Sequence, residues 1–409
     1  VFSRLVAQGV QVTLLCAGEA GLPARDEHRG VQIARLGSGL FDFYSGLRRE
    51  VRRRVERDGI DLVVEAHNKV PFLSPLYAGV PVLVVHHHLH GWTAFRQVSP
   101  LIAAGAVALE ALIPTVYRRC RFLTISGSSK GDLVRRGIPE EQIDVVPCGV
   151  DRTIYRPGPI AGRPPLLVSL GRLEPYKRLD LLIRSMPAVL AAVPEAQLVI
   201  IGEGQDRPRL EHLVKRLNLA RAVRLAGRVS EAEKIALLQR AALHVQCSRK
   251  EGWGLTVFEA YSCGVPVVAT DVPGLRDSVQ DGVTGHLVRR AVPATLAAAI
   301  VARLSDEPSR LRMARRAMTW AAEHSWDEAA QAVHATAQRV VADAAPARHR
   351  QLQPAGVATQ PPASTPFPSI PRPRAAAGRH PVASATLTEV FSAVPRVPAA
   401  EPADTGVLS

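Results

Sequence analysis

Cysteine is scarce in this chain, five residues in all: Cys16, Cys120, Cys148, Cys247 and Cys263. The number is odd, no two lie close together, and no Cys-x-x-Cys or Cys/His spacing occurs, which excludes a disulfide framework and a structural zinc site. Aromatic residues make up 5%, too few to line a groove for single-stranded nucleic acid. Nor is there an uncharged apolar run of the roughly 18 residues a membrane-spanning helix needs. The nearest, Leu101 to Tyr117, is interrupted by Glu110 and Pro114. No secretory leader pattern is visible, so the sequence reads as soluble and cytosolic. Acidic residues are outnumbered, 37 against 51 basic, for a net charge of +14. The excess is spread out: 18 basic against 14 acidic over 1–150, 27 against 20 over 151–345, and 6 against 3 beyond. No block is concentrated enough to track a phosphate backbone, so nucleic acid is not an expected partner. A diffuse positive surface suits anionic small molecules or anionic lipid headgroups.

What is present is a globular balance, 47% hydrophobic and 22% charged over 409 residues, enough for two domains and a tail. Short apolar runs alternate with helical periodicity, the pattern of an α/β protein with doubly wound parallel sheets. In the first half the strand candidates are 11–16, 31–36, 60–65, 81–87, 121–126 and 143–147. In the second they are 165–171, 197–202, 222–226, 243–247, 265–270 and 284–288. This gives a first domain over 1–150, a Pro-rich linker over 151–164 and a second domain over 165–345. Ligands of such sheets sit beyond the carboxyl ends of the strands, so the cleft between the domains is the expected active site. Twelve of the 32 prolines fall in 346–409, where few large apolar residues remain; that segment is expected to be a disordered tail. Phe2, Leu5 and Val6 mark a helix ended by Gly9 at the very start. Because such domains open with a strand and a Gly-rich turn, the chain reads as N-terminally truncated, with poor solubility expected.

Three segments carry chemistry. Gly171-Arg172 to Lys177 follows a strand and leads into a helix expected to begin near Lys177: Gly171 lets backbone approach a ligand, and Arg172 and Lys177 can aim two cations at one anionic group, here a planar fork plus a point charge. Two solvated surface cations is the alternative. Glu251-Gly252-Trp253-Gly254-Leu255-Thr256 turns into a helix, expected from about Thr256 to Cys263, whose first amides cradle an anion or hydroxyl. Glu259 lies a full turn on, and a carboxylate there can accept from a vicinal diol. The third is the histidine run His86-His87-His88-Leu89-His90 at a strand end. Neighbouring strand positions point opposite ways, which disfavours a metal cluster.

Gly171-Arg-Leu-x-x-x-Lys177, Gly202-Glu-Gly204, Glu251-Gly-Trp-Gly-Leu-x-x-x-Glu259, Gly264-Val-Pro-Val-Val-Ala-Thr270 and Gly282-x-x-Gly285, in that order, resemble family 4 of the retaining glycosyltransferases over about residues 1–340. The resemblance implies the GT-B fold, two Rossmann-like domains around a cleft. It also implies transfer of a hexose from a nucleotide-diphosphate sugar to a glycan or lipid-linked acceptor, with no cofactor and no metal; the lack of any Asp-x-Asp pair agrees. By resemblance, Arg172 and Lys177 neutralise the donor diphosphate, Glu259 binds the ribose diol and Glu251 faces the transferred sugar. The Trp253 to Thr256 amides form the cradle, while Gly204 and Val229 wall the base. His87, with His86 as second choice, stands against the sugar. Ser126 to Lys130 closes the first domain beside the cleft, and Glu65-Ala-His67-Asn68-Lys69 ends a strand where it can touch the acceptor or, through Asn68, cap a loop.

No nucleophile is placed for a covalent intermediate, which favours same-face attack. The readings weighed against a transferase are a nucleotide-sugar epimerase or phosphorylase and a degenerate nucleotide-sugar-binding scaffold. A nicotinamide dehydrogenase fails because Gly202-x-Gly204-x-x-Arg207 lacks the third glycine. Over 46–57 six arginines interleave with Leu47, Val51 and Val55. That stretch is either a solvated helix or a basic face that meets anionic membrane from the cytoplasmic side.

Overall fold

The fold is taken from a computed structural model, which describes residues 1–19, 21–37, 40–67, 71–87, 100–351 and 386–391. Among the described residues thirteen strands precede residue 300. They are β1 (Gln11–Ala17), β2 (Arg25–His28), β3 (Val31–Leu36), β4 (Leu62–His67), β5 (Val82–His86), β6 (Arg121–Thr124) and β7 (Ile143–Val145), then β8 (Leu166–Leu170), β9 (Gln197–Ile201), β10 (Val223–Gly227), β11 (Leu243–Gln246), β12 (Val267–Thr270) and β13 (Gly285–Val288). A last strand, β14 (Thr386–Phe391), comes from the far end of the chain. Two sheets result, ordered β2-β3-β1-β14-β4-β5-β6-β7 and β10-β9-β8-β11-β12-β13. All pairings are parallel except β2 with β3.

The physics of the central strands is plain in their burial. Leu62–His67 and Leu166–Leu170 are buried at every position, as parallel strands covered by helices on both faces must be. The covering helices supply one apolar stripe each: in Leu179–Ala192, residues Leu179, Leu182, Ile183, Met186 and Val189 are buried at helical spacing. All twelve strands expected from the apolar runs are present. β2 is an addition, and its four exposed residues, Arg-Asp-Glu-His, carry no apolar signal; charge of this kind protects a sheet edge.

Three boundaries depart from the sequence reading. The helix expected near Lys177 is a short 3₁₀ turn, Pro175–Lys177, followed by the α-helix from Leu179. The second unit does not stop as a separate body at 345: the helix Trp326–Gln351 crosses back, and Ala330, Val333 and Ala337 pack with Leu5, Val12, Leu62, Leu83 and Leu123 of the first sheet. The tail expected to be disordered throughout contributes β14, which pairs with β1 from Gln11↔Thr386 to Cys16↔Phe391 and with β4 from Leu387↔Leu62 to Val390↔Glu65. Among the described residues no helix is long and apolar enough to cross a membrane.

Candidate active site

In the second sheet the strand order reverses between β8 and β11, and a ligand crevice forms at such a switch point, outside the carboxyl ends. Both chemistry-bearing loops leave from those two neighbouring strands. After β8 come Gly171, Arg172 and Lys177, and they share a small pocket with Ser169, Gln246 and Cys247. After β11 come Ser248 and Glu251. Lys177 Nζ meets Glu251 Oε1 at 2.5 Å, and the same oxygen accepts from Gln246 Nε2 at 2.8 Å and Ser248 Oγ at 2.5 Å. Both partners of the ion pair are mostly buried, with side chains 14% and 13% exposed, so the pair is screened far less than a surface one. Arg172 is exposed, and its guanidinium is tied to Tyr176 Oη at 3.1 Å.

A cavity of about 630 Å³ lies between the two halves. Its wall brings together His87 from the first half with Lys177, Glu251, Gly252, Trp253, Gly254, Leu255 and Thr256 from the second. Gly254 caps the helix Leu255–Ser262 with φ 94, and that helix presents its N-terminal amides to the cavity. Gly252 sits where the halves touch: a Cβ there would lie 2.8 Å from Ile125 Cδ1 and 3.3 Å from the His87 carbonyl oxygen. Trp253 is a core residue as much as a site residue; only 5% exposed, it stacks on Phe258 at 5.0 Å. Burial, then the neighbouring His67, holds the His87 imidazole below its ordinary range, so the ring is neutral at pH 7.

The other expected residues stand apart from this cavity. Glu259, one turn into the helix, lies 3.4 Å from Lys234 Nζ; burial pushes its carboxyl up, while Lys234 and Tyr155 pull against that. Gly204 packs against the Leu173 backbone, and Val229 is half-buried against the second-domain core. The segment at Ser126 caps its helix onto Ser129 at 3.1 Å. His88, His90, Asn68 and Lys69 lie outside the described residues.

Sequence reasoning missed Gln246, Ser248 and Lys234. The available signal for the first pair was a polar residue closing a strand, Gln246, with Ser248 two positions on. Asp277 was also missed: its two oxygens accept from Ser128 N across the cleft and from Gly274 N within its own domain, both at 3.0 Å.

Comparison with known proteins settles the family. The model for glycosyl transferases group 1 matches residues 151–320 and that for Glycosyltransferase Family 4 matches residues 2–153. A D-inositol 3-phosphate glycosyltransferase of Thermobispora bispora is 34% identical over 374 residues, covering 81% of this chain and 86% of that one. The chain belongs to glycosyltransferase family 4. A further relative, D-inositol 3-phosphate glycosyltransferase 2 of Catenulispora acidiphila, is 27% identical over 85% of this chain and 90% of its own. Among solved structures, sucrose-phosphate synthase from Thermosynechococcus elongatus superposes with a TM-score of 0.69 at 22% identity, over 83% of this chain and 92% of that one. Anabaena HepE in complex with UDP-glucose gives 0.60 at 18% identity, over 82% and 99%. The family 4 member therefore has the GT-B fold, two Rossmann-like layers facing one cleft.

Proposed function

We propose that this family 4 glycosyltransferase moves a hexose from a nucleotide-diphosphate sugar to a glycan or lipid-linked acceptor, with retention and without a metal. The carrying observation is the Lys177–Glu251 pair at the switch point, facing His87 across the cavity. As the bond between the sugar's anomeric carbon and the diphosphate breaks, the electron pair leaves with the phosphate. Lys177, Arg172 and the helix N-terminus at Gly254 oppose the charge that develops there, a contribution of several kcal/mol in a site shielded from water. The acceptor oxygen bonds to the same carbon, and its proton passes to the departing phosphate. Glu251 is exchanged from Lys177 onto the sugar as the diphosphate takes the cation. Glu259 holds the ribose, and neutral His87 offers a hydrogen bond to a sugar hydroxyl.

The donor test is calorimetric titration of UDP, GDP and their sugar conjugates, UDP first because HepE carries it. Binding of one nucleotide that is lost in Arg172→Ala and Glu259→Ala supports the reading. No binding by any nucleotide to the folded chain overturns it and leaves a degenerate scaffold. The relatives' name puts a phosphorylated cyclitol among the acceptors to try.

The basic helix Leu40–Asp58 adds a surface. Phe43, Leu47 and Val51 face the core, whereas Arg48, Arg49, Arg52 and Arg57 are exposed, so attraction to a cytoplasmic anionic membrane would be electrostatic and without insertion. Co-sedimentation with phosphatidylglycerol vesicles, lost in added salt and absent with phosphatidylcholine alone, is the expected outcome; equal recovery with both lipids would remove the membrane from the reading.

A further inference from the structure

A carboxylate with no exposed surface lies behind the first-domain wall of the site. Glu65, on β4, accepts from Phe72 N at 2.7 Å, Ser74 N at 3.2 Å, Ser74 Oγ, Tyr117 Oη at 2.6 Å and His67 Nε2 at 3.0 Å. Burial pushes its carboxyl up, but His67, Ser74 and Tyr117 outweigh that and keep it ionised. An ionised carboxylate only accepts, so the hydrogen of the His67 ring is fixed on Nε2. His67 Nδ1 is buried with no hydrogen-bond partner among the described residues.

Residues 65 and 67 share one face of the strand, and β4 pairs with β5 so that His67 stands opposite His86. The His67 ring meets Tyr117 edge-on at 4.8 Å and His86 at 6.0 Å. One residue on, the His87 amide donates to the His67 carbonyl at 3.4 Å, and the His87 carbonyl accepts from Ser129 Oγ at 3.1 Å. The backbone of His87 is thus held from two sides, one of them by the residue that Glu65 clamps.

We infer that Glu65 and His67 are a positioning pair for His87: the buried carboxylate fixes the rotation and the hydrogen of the His67 imidazole, and His67 fixes the strand end that carries His87 into the cleft. This rests on the proposed transfer reaction for its kinetic consequence, though not for its structural one. The competing role for Glu65 is anchorage of the 72–74 loop alone, which three of its donors would serve without any imidazole.

The experiment is imidazole ¹⁵N spectroscopy of the full chain with labelled histidine, alongside transfer kinetics and thermal melting. In the native chain His67 is expected to carry its hydrogen on Nε2. Glu65→Gln should release that state and shift the His87 signals, with the donor KM unchanged and kcat lowered about tenfold or more, as for a misplaced site group. Should Glu65→Gln fail to fold, His67→Phe keeps the ring packing and leaves Glu65 its other four donors. That variant is expected to melt near the native temperature with the same shift at His87 and the same loss in kcat. A native His67 with its hydrogen on Nδ1 would overturn the pair, and so would a folded variant of either kind with unmoved His87 signals. Absence of transfer by the native chain would sink the transferase reading, while the spectra would still decide the pair.

Discussion

Lys177 and Glu251 are paired with each other in the cleft wall, and that makes their variants separable. Lys177→Ala should cut transfer by about 10² or more, because a cation facing developing charge is lost; a rate within twofold of native would remove Lys177 from the site. Glu251→Gln frees the Lys177 ammonium from its 2.5 Å partner. Nucleoside diphosphate alone should then bind at least as tightly as to the native chain, while transfer falls, and calorimetry beside a rate assay reads both. His87 sets a pH signature. Its imidazole is held below the ordinary value of 6.5 by burial and by His67, so it stays neutral until the pH drops below that value. The acid limb of the transfer profile should therefore have its midpoint under about 6.5 and should vanish in His87→Asn. At this scale residue type and motif singled out Lys177, Glu251 and His87, and the structure brings these three to one cavity wall. The sequence was silent where a partner arrives from a distant strand or helix, as Lys234 does at Glu259.

Among the elements, the Glu251 loop depends on a backbone neighbour. Gly274, with φ 83, would place a Cβ 2.1 Å from the Glu251 carbonyl oxygen, a distance no side chain tolerates. Gly274→Ala should push the 250–254 segment from the switch point, with transfer lost far more steeply than melting temperature; preserved activity would show that the loop has room to give. Apolar runs such as Leu166–Leu170 declared their strands because burial on both faces leaves no polar alternative. The charged edge strand Arg25–His28 and the strand Thr386–Phe391 had no such signature. The latter pairs with β1 on one side and β4 on the other, partners far away in the chain that its own residues do not announce. The helix start slipped from 177 to 179 because Arg178 adopts a left-handed φ of 51, which propensity does not foretell.

For the whole molecule, polar contacts beside the cavity help join the halves, among them Asp277 with the Ser128 amide at 3.0 Å and Lys250 with Asp132 at 3.3 Å. Asp277→Ala should open the cleft, seen as a larger radius of gyration in solution scattering that nucleotide binding reverses. Stability carries its own pH dependence through His244, which is fully buried and pushed down to about 4 chiefly by that burial. The unfolded chain takes up this proton first as pH falls, so stability should drop between about 6.5 and about 4, and His244→Gln should flatten that slope in melting experiments.

The returning helix Trp326–Gln351 has a consequence for how the protein can be cut. The chain passes between the halves at Val150 and again at Ser325, and these passages lie side by side, joined as a β-bridge with Val150 N on the His324 carbonyl at 3.1 Å. Cleavage within 151–164 would therefore free neither half, since the second passage still tethers them and the first sheet still holds its borrowed helix. Expressed by itself, 1–150 would present a bare apolar strip along Leu5, Val12, Leu62 and Leu83. Supplied as a separate peptide, 326–351 is what that strip should capture.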